Sequence, residues 1–143
     1  MINSFTGEHE FLSNFYTVTV PYDGINYPSS ENAFQAQKAA SDADKIKYTS
    51  CTPSKAKYYG RREHIDKALW DSNKDEIMYE IVKSKFIHNS HLVVCLLNTG
   101  DEELIEGNTW HDNYWGDCKC IRCRSIKGQN KLGKILMRIR SNF

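Results

Sequence analysis

Apolar residues at helical spacing limit what this chain can become. Ile77, Met78, Ile81, Val82 and Phe86 fall on one helix face, and Leu132, Ile135, Leu136 and Ile139 repeat the pattern near the C-terminus. A third segment, rich in Leu92, Val93, Val94, Leu96 and Leu97, is capped by Asn89-Ser90 and ended by Gly100. Such stripes must pack against other elements. A chain of 143 residues can bury them in one real core. The β signals are short by comparison. Thr17–Val20 and Ile25–Tyr27 flank Tyr22-Asp23-Gly24, which reads as a hairpin turn. Leu104-Ile105 reads as a short buried strand able to join that hairpin. The expected fold is mainly α (α+β), a single compact helical domain over residues 1–143 with a small N-terminal antiparallel sheet.

Local signals divide the rest. Ser41 to Asp44 starts a short helix. Thr52-Pro53 starts another, with Gly60 as its stop. Asn73 reads as the cap of the Ile77 helix, and Trp110–Cys123 as a loop. No internal repeat, low-complexity segment or domain linker interrupts the chain.

One helix has an unusual division of faces. Pro28–Ala40 starts after a proline, with Ser29 or Ser30 as N-cap. Glu31, Gln35 and Lys38 fall on one side, flanked by Phe34, and Ala33, Ala36 and Ala40 on the other. An alanine face lets a helix sit close to its neighbours. The opposite face then either lines a polar pocket or is simply solvated. Glu31 lies in the first turn, where the helix dipole favours the carboxylate form.

Composition removes several classes. A net charge of +1 gives no global field toward nucleic acid or membrane. No apolar run approaches the ~20 residues of a membrane span, and Met1–Phe5 lacks the regions of a signal peptide. Five cysteines, an odd number with three crowded together, do not read as a secreted disulfide framework. The expectation is a cytoplasmic protein with reduced thiols. An aromatic content of 12% suits enclosure of flat ligands.

Further candidates lie along the chain. Glu10–Tyr16 is an aromatic patch interrupted by Ser13 and Asn14, either core with a turn or a loop presenting Asn14 and Phe15 to a ligand. Arg61-Arg62 beside Gly60 can hold an anion or serve as plain surface charge. Asp112–Asp117 can place a carboxylate beside Trp115, with Gly116 allowing the turn. Gly128-Gln129-Asn130 at a helix start can offer free N–H groups to an anion. Cys118-x-Cys120-x-x-Cys123 has three thiols at zinc-ligand spacing, with a fourth ligand to come from His111, Cys51 or elsewhere. Otherwise these are reduced loop cysteines. No other cofactor is expected.

Taken in order, Phe11-Leu12-Ser13-Asn14-Phe15, Tyr27–Glu31 with Phe34–Lys38, Trp70, Tyr114-Trp115-Gly116-Asp117 and Asn130-Lys131-Leu132-Gly133 resemble the NADAR (YbiA-like) family over nearly the whole chain. The resemblance implies a mainly helical fold and cleavage of an N-glycosidic bond. It implies one of two substrate groups: phosphoribosylamino-pyrimidine intermediates of riboflavin synthesis, or ADP-ribose on guanine in DNA or RNA. By the same resemblance Glu31 matches the catalytic glutamate, Lys38 the lysine on its helix, and Trp70 and Asp117 residues of the pocket. The cysteine-bearing insertion between Asp117 and Gly128 departs from shorter members.

The residue types suit that chemistry. Cleaving a C1′–N bond builds positive charge on the ribose, which a carboxylate can stabilise while it orients water. Glu31 is the choice for this role, with Asp117 as second carboxylate. Lys38 can pair with a phosphate or with Glu31, or attack C1′ of the open sugar to give a Schiff base. Trp70, Trp115 or Phe15 can stack on the base, and Arg61 or Asn130 can hold a phosphate. The alternatives are a non-catalytic module for ADP-ribose or another nucleotide, and a zinc-stabilised nucleic-acid adaptor.

Overall fold

The computed structural model describes residues 1–143, which divide into two units: Asn14–Ser90, and Met1–Ser13 with His91–Phe143. The mainly helical architecture and the small antiparallel sheet are as expected.

In the first unit, β1 (Val20–Tyr22) and β2 (Ile25–Tyr27) pair antiparallel, Val20 opposite Tyr27 and Tyr22 opposite Ile25. Asp23 and Gly24 both have positive φ, 51° and 83°, as a two-residue primed turn requires. The first strand begins at Val20, later than Thr17. Next come α1 (Ser30–Ala36), α2 (Asp42–Lys45), α3 (Pro53–Arg62) and α4 (Lys67–Ile87). Helix α1 packs against the hairpin, α3 and α4. Its Ala33 and Ala36 are fully buried, so the backbones approach closely. Asn32 reinforces the contact. Its side-chain N–H groups donate to the carbonyls of Tyr48 and Cys51 at 2.9 and 2.8 Å, and its oxygen accepts from the Ser29 hydroxyl at 2.6 Å. Met78, Ile81, Val82 and Phe86 of α4 complete the core.

Three sequence expectations need correction here. Helix α1 ends at Ala36, so Ala40 is exposed and Lys38 lies in the turn beyond the helix. Gly60 does not stop α3. It sits inside the helix, where a Cβ would fall 1.9 Å from Gln35 Oε1, so close approach to α1 explains the glycine. Helix α4 starts at Lys67, capped by Asp66, which accepts from the Leu69 N–H at 3.2 Å. Asn73 is therefore inside the helix and donates to the Leu69 carbonyl.

In the second unit, a 3-10 turn over Gly7–Leu12 buries Phe11 and Leu12. Ile2 bridges Leu104 in parallel, so the 104–105 segment pairs with the N-terminus and not with the hairpin. Helix α5 (Ser90–Leu97) buries Leu92 and Leu96. The expected Trp110–Cys123 loop contains a strand: β3 (Gly107–Asn108) pairs parallel with β4 (Asp117–Cys118). Helix α6 (Lys131–Ser141) buries Leu132, Ile135, Leu136 and Ile139, the four residues its periodicity selects.

Candidate functional site

The candidate site grows from α1. Ser29 caps it by accepting from the Asn32 N–H at 3.1 Å. The first turn is tied to the preceding loop, since the Glu31 N–H donates to the Asn14 carbonyl at 2.9 Å and the Ser30 hydroxyl to Asn14 Oδ1 at 3.0 Å. Asn14 Nδ2 reaches the Met78 sulfur at 3.5 Å. Asn14 therefore positions the start of the helix. Phe15 beside it is 41% exposed.

One turn on, Gln35 Nε2 donates to Glu31 Oε2 at 2.8 Å. Gln35 is buried, and its Oε1 lies against Gly60 without a donor. The Glu31 carboxylate is thus oriented by an amide that α3 holds in place.

Lys38 follows in a tight turn, its N–H donating to the Gln35 carbonyl at 3.1 Å. Its amine sits 5.5 Å from the centroid of the Trp70 ring. Phe34 backs that ring, with centroids 5.1 Å apart. Burial pushes the Lys38 pKa below the ordinary lysine value. Glu31 and Glu63 pull it back up, and Arg61 and Lys74 push it further down. Arg61, exposed on α3, therefore lies within electrostatic reach of Lys38.

A groove of about 320 Å³ opens beside Lys38 and Trp70, and Glu31, Gln35 and Arg61 are not in its lining. Lys38 and Trp70 line it with His64, Asp66, Leu69 and Asn73. Sequence reasoning missed its far wall. The signal was present: Asp66, Leu69, Trp70, Asn73 and Ile77 share one helix face once Asp66 is taken as the cap. Reading Asn73 as the cap hid it.

The other unit holds the remaining predicted residues. Asp117 Oδ1 accepts from the Gly128 N–H at 2.9 Å, and its Oδ2 pairs with Lys119 Nζ at 3.1 Å. The Gly128 N–H, then Lys119, hold its pKa below the usual carboxylate value. An acid so held serves as a base or charge stabiliser, not as a proton donor. Trp115 stands edge-on to Tyr114, centroids 4.9 Å apart, while Asp112 Oδ1 accepts from both backbone N–H groups. Gly116 is needed for close approach, not for a turn: a Cβ there would lie 1.8 Å from Glu106 Oε2.

The expected anion site at the start of α6 is closed. The N–H groups of Gln129, Asn130, Lys131 and Leu132 donate to the carbonyls of Asn113, Gly116, Tyr114 and Trp115. Asn130 is buried. Its Nδ2 donates to the Leu104 carbonyl and its Oδ1 accepts from the Glu106 N–H, both at 2.9 Å. Its amide is occupied by structure, which removes it as a phosphate ligand.

The sequence model of the NADAR domain matches residues 3–143, and the chain belongs to that family. It is 33% identical to the N-glycosidase YbiA of Escherichia coli over 148 residues, covering all of this chain and 88% of that one. It is 35% identical to a riboflavin biosynthesis protein of Vibrio vulnificus, covering 94% of this chain and 36% of that protein. The NMR structure of E. coli YbiA superposes with a TM-score of 0.80 at 29% identity, over 99% of this chain and 86% of that one.

Proposed function

We propose that this chain is a hydrolase of N-glycosyl bonds that acts on a phosphoribosylamino-pyrimidine through Glu31 and Lys38. The observation that supports it most is the Lys38 amine, drawn below its ordinary pKa by burial, set against Trp70 and within the field of Glu31. The N-glycosidase name of one relative supports the reaction class, and the riboflavin biosynthesis name of another, of which this chain covers 36%, supports a riboflavin-linked substrate. A groove of about 320 Å³ suits a mononucleotide-sized ligand.

In the ribosylamine the ring C1′–O4′ bond breaks, O4′ takes up the proton lost by the exocyclic nitrogen, and C1′ becomes the carbon of an imine to the pyrimidine nitrogen. Neutral Lys38 adds to C1′, both of its amine protons pass to the pyrimidine nitrogen, and the C1′–N bond breaks to release the pyrimidine amine and leave the Lys38 imine. Water, oriented by Glu31, then hydrolyses the Lys38 imine to free the ribose phosphate and regenerate the amine. Trp70 stacks on the base, and Arg61 with Lys74 attracts the phosphate.

The test offers the protein a phosphoribosylamino-pyrimidine and, separately, an ADP-ribosyl-guanine oligonucleotide. Base release from the first with a borohydride-trapped adduct on Lys38 is expected. Glu31→Gln should bind substrate but turn it over at least 10²-fold more slowly. Lys38→Arg should abolish the adduct while keeping the charge. Release only from the oligonucleotide moves the substrate to ADP-ribosylated nucleic acid. Binding without release from either leaves a recognition module.

A further inference from the structure

A second cluster of chemistry-bearing side chains, unused by that reaction, lies in the loop on either side of β4. We propose that His111, Cys118, Cys120 and Cys123 hold one zinc ion in a closed, tetrahedral structural site. Their four ligand atoms lie within 4.8 Å of one another. His111 Nδ1 stands 3.3 Å from the Cys120 sulfur, 3.4 Å from that of Cys123 and 3.9 Å from that of Cys118. With Zn–S near 2.3 Å and Zn–N near 2.0 Å, a tetrahedron has N···S edges of about 3.5 Å. The observed spacings bracket that value.

Hydrogen bonding by the imidazole does not by itself account for the cluster. An imidazole nitrogen carries one proton or one lone pair, so it can bond one sulfur and not three. A cation at the centre satisfies all four ligands together. A disulfide would use two of the three thiols and leave the third with the histidine; all five cysteines of the chain are free.

The local fold delivers each ligand. Strand β4 fixes Cys118. The 3-10 turn over Ile121–Cys123 curls Cys120 and Cys123 together, with the Cys123 N–H donating to the Cys120 carbonyl at 3.1 Å. His111 has φ of 68°, a left-handed conformation uncommon outside glycine, and it turns this ring toward the sulfurs. Cys118 and Cys123 are buried, Cys120 is half-buried and His111 exposed.

Three thiolates and an imidazole in tetrahedral array select zinc over harder cations. Binding converts three thiols to thiolates, so three protons are released. The site then carries about one negative charge, which exposed Lys119, Arg122 and Arg124 offset. Four protein ligands leave no open position, so the metal is structural. It would anchor the loop that carries Trp115 and Asp117.

The test uses the full chain without a histidine tag, desalted and analysed for metals by mass spectrometry. One zinc per chain is expected, falling well below stoichiometry in Cys120→Ser and in His111→Ala. Cobalt exchanged into the site should give thiolate charge-transfer and tetrahedral ligand-field bands. Chelation should lower Tm, and zinc should restore it. No bound zinc after equilibration with excess metal would overturn the proposal. So would stoichiometric zinc in both variants, a disulfide within the cluster of the freshly isolated protein, or an iron–sulfide chromophore.

Discussion

Gly60 shows how one missing side chain can set the aim of the carboxylate proposed to act in the reaction. Its lack of a Cβ leaves room for the Gln35 amide, and that amide holds Glu31. Gly60→Ala should therefore displace Gln35. The expected result is a fall in kcat larger than any change in KM, with a stability loss of about 1–3 kcal/mol. Steady-state kinetics beside thermal melts would check it, and a change in Tm alone would count against this linkage. Lys85 acts on stability instead. It is fully buried near the Tyr16 and Phe86 rings, and burial pulls its pKa from 10.5 to about 7. Between those values the unfolded chain holds a proton that the folded chain does not. Stability from this group therefore rises with pH across that window and is lost as pH falls through about 7. Lys85→Met should flatten the slope measured by urea unfolding from about pH 7 to about pH 9, below ordinary tyrosine titration.

At the scale of elements, the Asp66 cap fixes where α4 begins and so where the groove wall stands. Asp66→Ala should cost about 1 kcal/mol and raise KM more than it lowers kcat, read from melts and kinetics together. The long apolar periodicities were legible, because burial of a stripe requires helical spacing: Met78 to Phe86 and Leu132 to Ile139 lie in the core. Boundaries were less legible. Asn73 and Asp66 are both good caps in isolation, and only packing chooses between them. The Glu31–Gln35 pairing could be read from i, i+4 spacing. The roles of Gly60, Asn32 and Asn130 could not, since each depends on a carbonyl or amide distant in sequence. A parallel pair as short as β3–β4 has no pattern of its own to announce it.

For the whole molecule, the chain leaves one unit at Ser13, builds the other, and returns at His91. The returning unit needs the first residues of the chain. Ile2 exchanges backbone bonds with Glu103 and Ile105 at 2.8 Å, and Phe5 is buried. Phe5→Ala should lower the unfolding free energy by about 3–5 kcal/mol, measured by denaturant titration. No helix is long and apolar enough to cross a membrane. The tie between Asp117 and the Gly128 N–H has a consequence for how such a chain can vary. It fastens the two ends of the cysteine-bearing segment at its base, like the pin of a brooch. Loop-closure cost grows only slowly with length. Residues 124–127, beyond the last cysteine of the cluster, can therefore be lengthened or replaced while β4 and the start of α6 keep their places. The same stretch is a natural position at which to graft a reporter peptide into this protein.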